Sequence, residues 1–227
     1  MSETTTALIT GANRGIGLEL TRQLRDRGFR VIACCRRSSE ELDALGVQVE
    51  TGVDVGDPAS IREFDQRLDP RQPVHWLLNV AGVMSVQRFG DINENAVGEI
   101  QQQFRINSLG PLLMTQALVH RIPEGGRVGV VTSRMGSIAD NTSGGSYGYR
   151  MSKAAVNMAG VSMAHDLKPR GIAVAILHPG FVRTAMTSHN GHIDPPESAA
   201  GLIARMDELH LGNTGTFWHM NGEILPW

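Results

Sequence analysis

Apolar residues follow two rhythms along this chain. Short, mainly apolar runs, at residues 7–9, 30–35, 47–49, 76–78, 128–131 and 172–177, have the length and composition of strands. Between them the spacing changes. Ile16, Leu20 and Leu24 recur four residues apart, and Ile61, Phe64 and Leu68 follow Pro58 at intervals of three and four, with the proline at a helix start. Longer stretches of helical spacing cover residues 93–120 and 149–168. Six strands separated by helices predict right-handed crossovers, hence an α/β fold with a doubly wound parallel sheet and helices on both faces. No repeat, low-complexity tract or Pro/Ser linker interrupts the alternation, so residues 1–227 read as one domain.

Composition narrows the class. Hydrophobic residues make up 41% and charged residues 19% of the chain, which excludes a disordered tail protein or a coiled coil. The net charge of −2 lacks the positive excess of a nucleic-acid or membrane-surface binder. Cys34 and Cys35 are adjacent, a spacing that rarely reaches relaxed disulfide geometry, so both read as thiols of a reducing compartment. The first residues lack the basic start and apolar core of a secretion signal, and no apolar run nears the ~20 residues of a membrane span. A cytoplasmic location follows as an expectation, with no membrane or nucleic-acid partner. Eight histidines occur, but only His189 and His192 lie close together, without Cys or carboxylates at a metal-binding spacing, and no metal is expected. Met151, Met158 and Met163 are expected to fill packing gaps.

Candidate chemistry begins between the first strand and the first helix, at Thr10-Gly11-Ala12-Asn13-Arg14-Gly15-Ile16-Gly17. Glycines allow a sharp turn and close backbone approach to a pyrophosphate, and the helix N-terminus presents amide donors to it, as in Rossmann-type dinucleotide folds. About 20 residues further on, such folds place an acid for a ribose 2′-hydroxyl or an arginine for a 2′-phosphate. This chain has Arg36 and Arg37 there and no acid, with Arg14 in the glycine loop able to reach the same phosphate. That pattern favours NADP(H), with NAD(H) the alternative.

The chain has two tyrosines and two lysines, and Tyr149 and Lys153 stand four apart. On a helix this spacing puts both on one face, where a fixed ammonium favours the ionised phenol and fits it for acid/base work. Ser133 follows a strand at its carboxyl end, where the crevice of an open α/β sheet lies. Ser137 is its rival.

These residues resemble the short-chain dehydrogenase/reductase family over nearly the whole chain. Thr10 to Gly17 resembles its Thr-Gly-x-x-x-Gly-x-Gly loop, and Tyr149-x-x-x-Lys153 its catalytic pair. Asp54-Val55 is similar to its adenine contact, and Asn79-Val80-Ala81-Gly82 to its Asn-Asn-Ala-Gly segment, with Val80 in place of the second Asn. Ser133-Arg134-Met135-Gly136 resembles its Ser-x-x-Gly step, and Pro179-Gly180-Phe181-Val182-Arg183-Thr184 its segment beside the nicotinamide. The resemblance implies that Tyr149 is the general acid/base, that Lys153 lowers its pKa and holds the ribose, that Ser133 orients a carbonyl and that Asn107 holds a relay water. It also implies cofactor contacts at Gly11, Asn13, Arg14, Gly15, Ile16, Gly17, Arg36, Arg37, Asp54, Val55, Asn79, Ala81, Gly82, Pro179, Gly180, Val182 and Thr184. The interval from Ser133 to Tyr149 exceeds the family's usual one, which keeps Ser137 open. Residues 136–142 and 221–227 are similar to the C-factor and sniffer branch.

The expected function is an NADP(H)-dependent oxidoreductase acting on a small carbonyl or alcohol. The alternatives are a C-factor-type signalling or sensor protein, and a methyltransferase on the same topology, which the Tyr-Lys pair opposes. A short lid at residues 185–194 is expected, edged by Met186, His189 and His192. A homodimer or homotetramer through the helix at 149–168 is what the family implies.

Overall fold

The computed structural model describes residues 4–227. The chain runs β1 (Thr6–Thr10), α1 (Gly15–Asp26), β2 (Arg30–Cys34), α2 (Glu40–Asp43), β3 (Gln48–Glu50), α3 (Pro58–Arg67), β4 (Trp76–Asn79), α4 (Glu94–Phe104), α5 (Gly110–Leu118), β5 (Arg127–Val131), α6 (Tyr147–Leu167), β6 (Ala173–His178), α7 (Pro195–Glu208) and β7 (Phe217–His219). All seven strands form one parallel sheet in the order β3-β2-β1-β4-β5-β6-β7. The winding reverses at β1, which pairs with β2 on one side and β4 on the other. A doubly wound sheet opens its crevice at the carboxyl ends of two such strands.

Burial explains why the strand runs are apolar throughout. Every position of β1, β4 and β6 is buried, as a parallel sheet covered on both faces demands. Alternate side chains serve opposite layers. Ala7 and Ile9 pack with Leu20 and Leu24 of α1 and Leu202 and Met206 of α7, whereas Leu8 packs with Phe64 of α3, Met114 of α5 and Val156 of α6.

Three elements differ from the sequence expectation. A seventh strand, β7, extends the sheet; its apolar run is only Phe217 and Trp218 before the polar His219, and it is fixed by pairing with β6 and by Trp227 stacking on Phe217. The stretch at 93–120 is not one regular helix: a π turn at Arg105–Leu109 joins α4 to α5. Pro111 supplies a reason, since it has no N–H for the carbonyl four residues earlier, that of Asn107, and its ring crowds that carbonyl. Finally, Met163 is buried, but Met151 and Met158 are exposed on the outer side of α6 and fill no core gap. Helical spacing identifies a stripe without saying what faces it.

Candidate active site

A cavity of about 910 Å³ lies at the carboxyl ends of β1 and β4 and reaches from the glycine loop to Tyr149 and Lys153. At the first end the backbone does the shaping. Gly11 has φ +69°, and a Cβ there would lie 2.9 Å from the Ala81 Cα. A Cβ on Gly17 would collide with the Gly11 carbonyl, so only glycine lets α1 start this close to β1. Thr10 Oγ1 accepts hydrogen bonds from the N–H groups of Val80 (3.0 Å) and Ala81 (3.1 Å) and so ties the exits of the two central strands together. Val80 makes this contact through its backbone, so the departure from Asn leaves it intact. The α1 N-terminus has no side-chain cap, and its first turn lines the cavity. Uncapped N–H groups and the dipole make an anion site there.

Arg14, Arg36 and Arg37 are exposed and line the same end. Nearby arginines are paired: Arg22 with Glu19, Arg25 with Asp26 and Arg27 with Asp207. Among the described residues no acid lies within ion-pair distance of Arg14, Arg36 or Arg37. Three uncompensated guanidinium groups beside uncapped helix amides suit a phosphate. Asp54 and Val55 also line the cavity, and Asp54 Oδ1 accepts the Gly56 N–H at 2.8 Å. Cys34 and Cys35 are buried free thiols at this end; burial raises the pKa of each, so neither is a poised thiolate.

The other end is built from buried side chains. Tyr149 and Lys153 lie on the first turns of α6, with Lys153 Nζ 5.6 Å from the centre of the Tyr149 ring. Lys153 Nζ donates to the Val131 carbonyl at 3.0 Å, leaving two of its three donors free. Burial pushes the Tyr149 phenol up to about 12, opposed by a hydrogen bond with the Ser133 side chain, and pulls Lys153 down to about 8. Of the two candidate serines, the geometry brings Ser133 to the phenol. Ser137 instead donates to the Trp227 carbonyl at 3.1 Å and accepts the Asp140 N–H.

Asn107 sits in the π turn, almost wholly buried. Its Oδ1 accepts the Val83 N–H at 2.8 Å, and its amide donates to the Val83 carbonyl and to Ser152 Oγ. Both amide hydrogens are used, so the side chain is a brace. Pro111 leaves the Asn107 main-chain carbonyl without the regular i+4 donor. Gly82 fits between this brace and the lysine, since a Cβ there would lie 3.2 Å from Asn107 Oδ1 and 3.9 Å from Lys153 Nζ.

Other expected residues support the cavity from behind. Asn79 is buried beneath it, donating to Thr115 Oγ1 at 3.2 Å. Pro179 and Thr184 line the wall, whereas Gly180 (φ +88°) makes the turn and Val182 is buried, bridged to Ile193. Met186 and His189 edge the opening as expected, but His192 turns aside, its ring edge-on to Phe181 at 5.4 Å. His178, which the sequence reading overlooked, ends β6 with Nδ1 buried and unpartnered; burial, then the charges of His219, Arg134 and Lys153, pull it down to about 3. Among the described residues no group of three or more His, Cys, Asp or Glu is placed to hold a metal, and no helix is long and apolar enough to cross a membrane.

Comparison with known proteins adds to this geometry. The family model for short chain dehydrogenase matches residues 5–193. The chain is 42% identical over 227 residues to 1-hydroxy-2-glutathionyl-2-methyl-3-butene dehydrogenase of Rhodococcus sp. (strain AD45), covering 98% of this chain and 99% of that protein. It is also 42% identical over 158 residues to C-signal of Myxococcus xanthus, covering 68% of this chain and 93% of that protein. An NADPH-bound carbonyl reductase from chicken fatty liver superposes with a TM-score of 0.88 at 25% identity, covering 99% of this chain and all of the other. The chain belongs to the short-chain dehydrogenases, in their C-factor and sniffer-like branch, and is an oxidoreductase of that family.

Proposed function

We propose that this protein is an NADP(H)-dependent carbonyl reductase or alcohol dehydrogenase with Tyr149 as its general acid/base. The observation that carries this reading is the buried Tyr149, Lys153 and Ser133 cluster at one end of a cavity whose other end is an uncapped helix N-terminus with three unpaired arginines. Gly11, Gly15 and Gly17 would admit the pyrophosphate, Arg14, Arg36 and Arg37 would hold a 2′-phosphate, and Asp54 and Val55 would take the adenine. Asn13, Ile16, Ala81, Gly82, Pro179 and Thr184 complete the wall around the dinucleotide. The dinucleotide, when bound, supplies or takes up the hydride.

Ser133 and the Tyr149 hydroxyl hold the substrate oxygen, and Tyr149 gives its proton to that oxygen in reduction or removes it in oxidation. A buried phenol at about 12 is a poor proton relay alone. Lys153, at about 8 and mostly protonated at neutral pH, supplies the positive charge that stabilises phenolate as it forms. Its two remaining donors would hold the ribose, and Asn107 would hold, through its main-chain carbonyl, the water that returns the proton.

The short lid leaves the opening wide, and the Rhodococcus relative, named for a glutathione-conjugated primary alcohol, brings such alcohols into the substrate panel. NADPH oxidation with aldehydes, ketones and quinones, and NADP reduction with those alcohols, test the reading. No turnover across the panel together with tight NADPH binding would favour a sensor, the reading that the likeness to C-signal supports. The same proposal includes a homodimer or homotetramer through α4 and α6, whose outer faces expose Val97, Phe104, Met151 and Met158. A monomer by sedimentation at micromolar concentration would refute that part.

A further inference from the structure

The helix that carries Tyr149 and Lys153 lacks a cap of its own. Ser146, the residue before α6, is a non-glycine residue in the left-handed region (φ +48°, ψ +45°), and its side chain makes no capping bond. The first N–H groups of a buried helix need acceptors, and an unmet one is costly. Here they come from far along the chain. The Gln87 main-chain carbonyl accepts the Ser146 N–H at 2.8 Å, and Gln87 Oε1 accepts the Gly148 N–H at 3.0 Å.

Gln87 is itself locked. It is 3% exposed, and its amide donates to Ser85 Oγ (2.8 Å) and Glu99 Oε2 (3.1 Å). Gln103, also buried, donates to Ser85 Oγ and accepts the Ser85 N–H. Packing closes the arrangement, for a Cβ on Gly148 would lie 3.0 Å from Ile100 of α4 and collide with the Gln103 amide. The loop that bears Gln87 begins at Ala81 and Gly82, on the cavity wall.

We infer that Gln87 is a positioning residue for the proposed reaction: from a distant loop of the same chain it caps the helix that bears Tyr149 and so fixes the turn from which Tyr149 projects. It touches neither substrate nor cofactor. This inference rests on the proposed role of Tyr149, but the cap has a readout that needs no turnover.

Gln87→Met keeps the volume and removes the side-chain bonds. Hydrogen exchange at Gly148 and its neighbours should accelerate about tenfold, the size of a lost helix cap, with α1 unaffected. With a substrate in hand, kcat should fall about tenfold while NADPH affinity stays within twofold. Gln87→Glu combined with Glu99→Gln is the control for a variant that misfolds. It keeps an acceptor for the Gly148 N–H and reverses the bond between positions 87 and 99, so exchange and kcat should return to near the parent values. Unchanged exchange in Gln87→Met, or a double variant that folds yet exchanges as fast as Gln87→Met, would overturn the cap. Exchange that responds while kcat does not would overturn the positioning role. A protein with no turnover on any substrate, in which exchange responds as expected, would instead place the failure in the proposed reaction.

Discussion

The two ends of the cavity are built on different principles. The end proposed to take the phosphates consists of backbone, glycines and exposed arginines, with few side-chain hydrogen bonds holding it. The end proposed for proton transfer is built from buried polar side chains, with partners distant in sequence: Lys153 is fixed by Val131, Asn107 by Val83 and Ser152, and the start of α6 by Gln87. A cofactor's charges can be met by groups that stay in water, because many weak contacts add. Moving one proton needs a donor fixed to a fraction of an ångström in a dry environment. Substitutions at the first end should therefore change affinity and cofactor choice, and those at the second should change kcat.

The largest effect expected short of removing the acid itself is at Lys153. Lys153→Met should lower kcat about a hundredfold or more, the low end of what a positioned proton donor contributes, with a smaller change in NADPH affinity. Lys153→Arg should not restore it, since the planar guanidinium cannot replace a compact ammonium between Tyr149 and the Val131 carbonyl. Steady-state kinetics with a separate binding titration separates the two terms.

At the phosphate end the expected effect is smaller and of another kind. The parent should prefer NADPH over NADH roughly ten- to a hundredfold in kcat/KM, the worth of one or two charge-assisted contacts. Cys35→Asp with Arg36→Ala should reverse the preference and leave kcat with the favoured cofactor nearly unchanged. Equal use of both cofactors by the parent would show that these arginines are surface charge. Gly17→Ala, which drives a methyl into the Gly11 carbonyl, should cost about 1–3 kcal/mol in denaturant unfolding, as overpacking does elsewhere.

The smallest effects are in pH dependence. Reduction needs Lys153 charged, so its rate should level off below about pH 8 and fall above it. Stability moves the other way. A lysine whose pKa is lower folded than unfolded binds fewer protons in the native state between the two values, so its contribution to stability rises with pH from about 8 toward its ordinary value. Lys153→Met should flatten that rise in chemical denaturation at pH 7 and pH 9.5. An equal rise in both proteins would contradict the burial assigned to this ammonium.

The backbone shape of the proposed phosphate end was legible because its needs are local. Glycines at 11, 15 and 17 follow from backbone approach, and the apolar runs of β1 and β4 locate the crevice. Which arginines are free was not legible, since Arg27 finds Asp207 only once α1 and α7 pack. The Tyr149 and Lys153 pair was legible because four residues make one helical turn. The choice of Ser133 over Ser137 needed the fold, which sends Ser137 to the Trp227 carbonyl. Pro111 carried a readable signal for the π turn at Asn107, but an otherwise continuous helical pattern masked it. Gln87 had no local signal at all, because the N–H group its side chain caps lies 61 residues further along the chain.

The central claim is that Tyr149 moves the proton in an NADPH-dependent reduction. Single-turnover NADPH oxidation, with NADPH affinity measured separately, tests it most directly in the parent and in Tyr149→Phe. The expected rate loss is about 10²–10⁴-fold, with NADPH affinity within a few-fold and the fold intact. A Tyr149→Phe protein that binds NADPH and reduces the same carbonyl at a rate near that of the parent would contradict it.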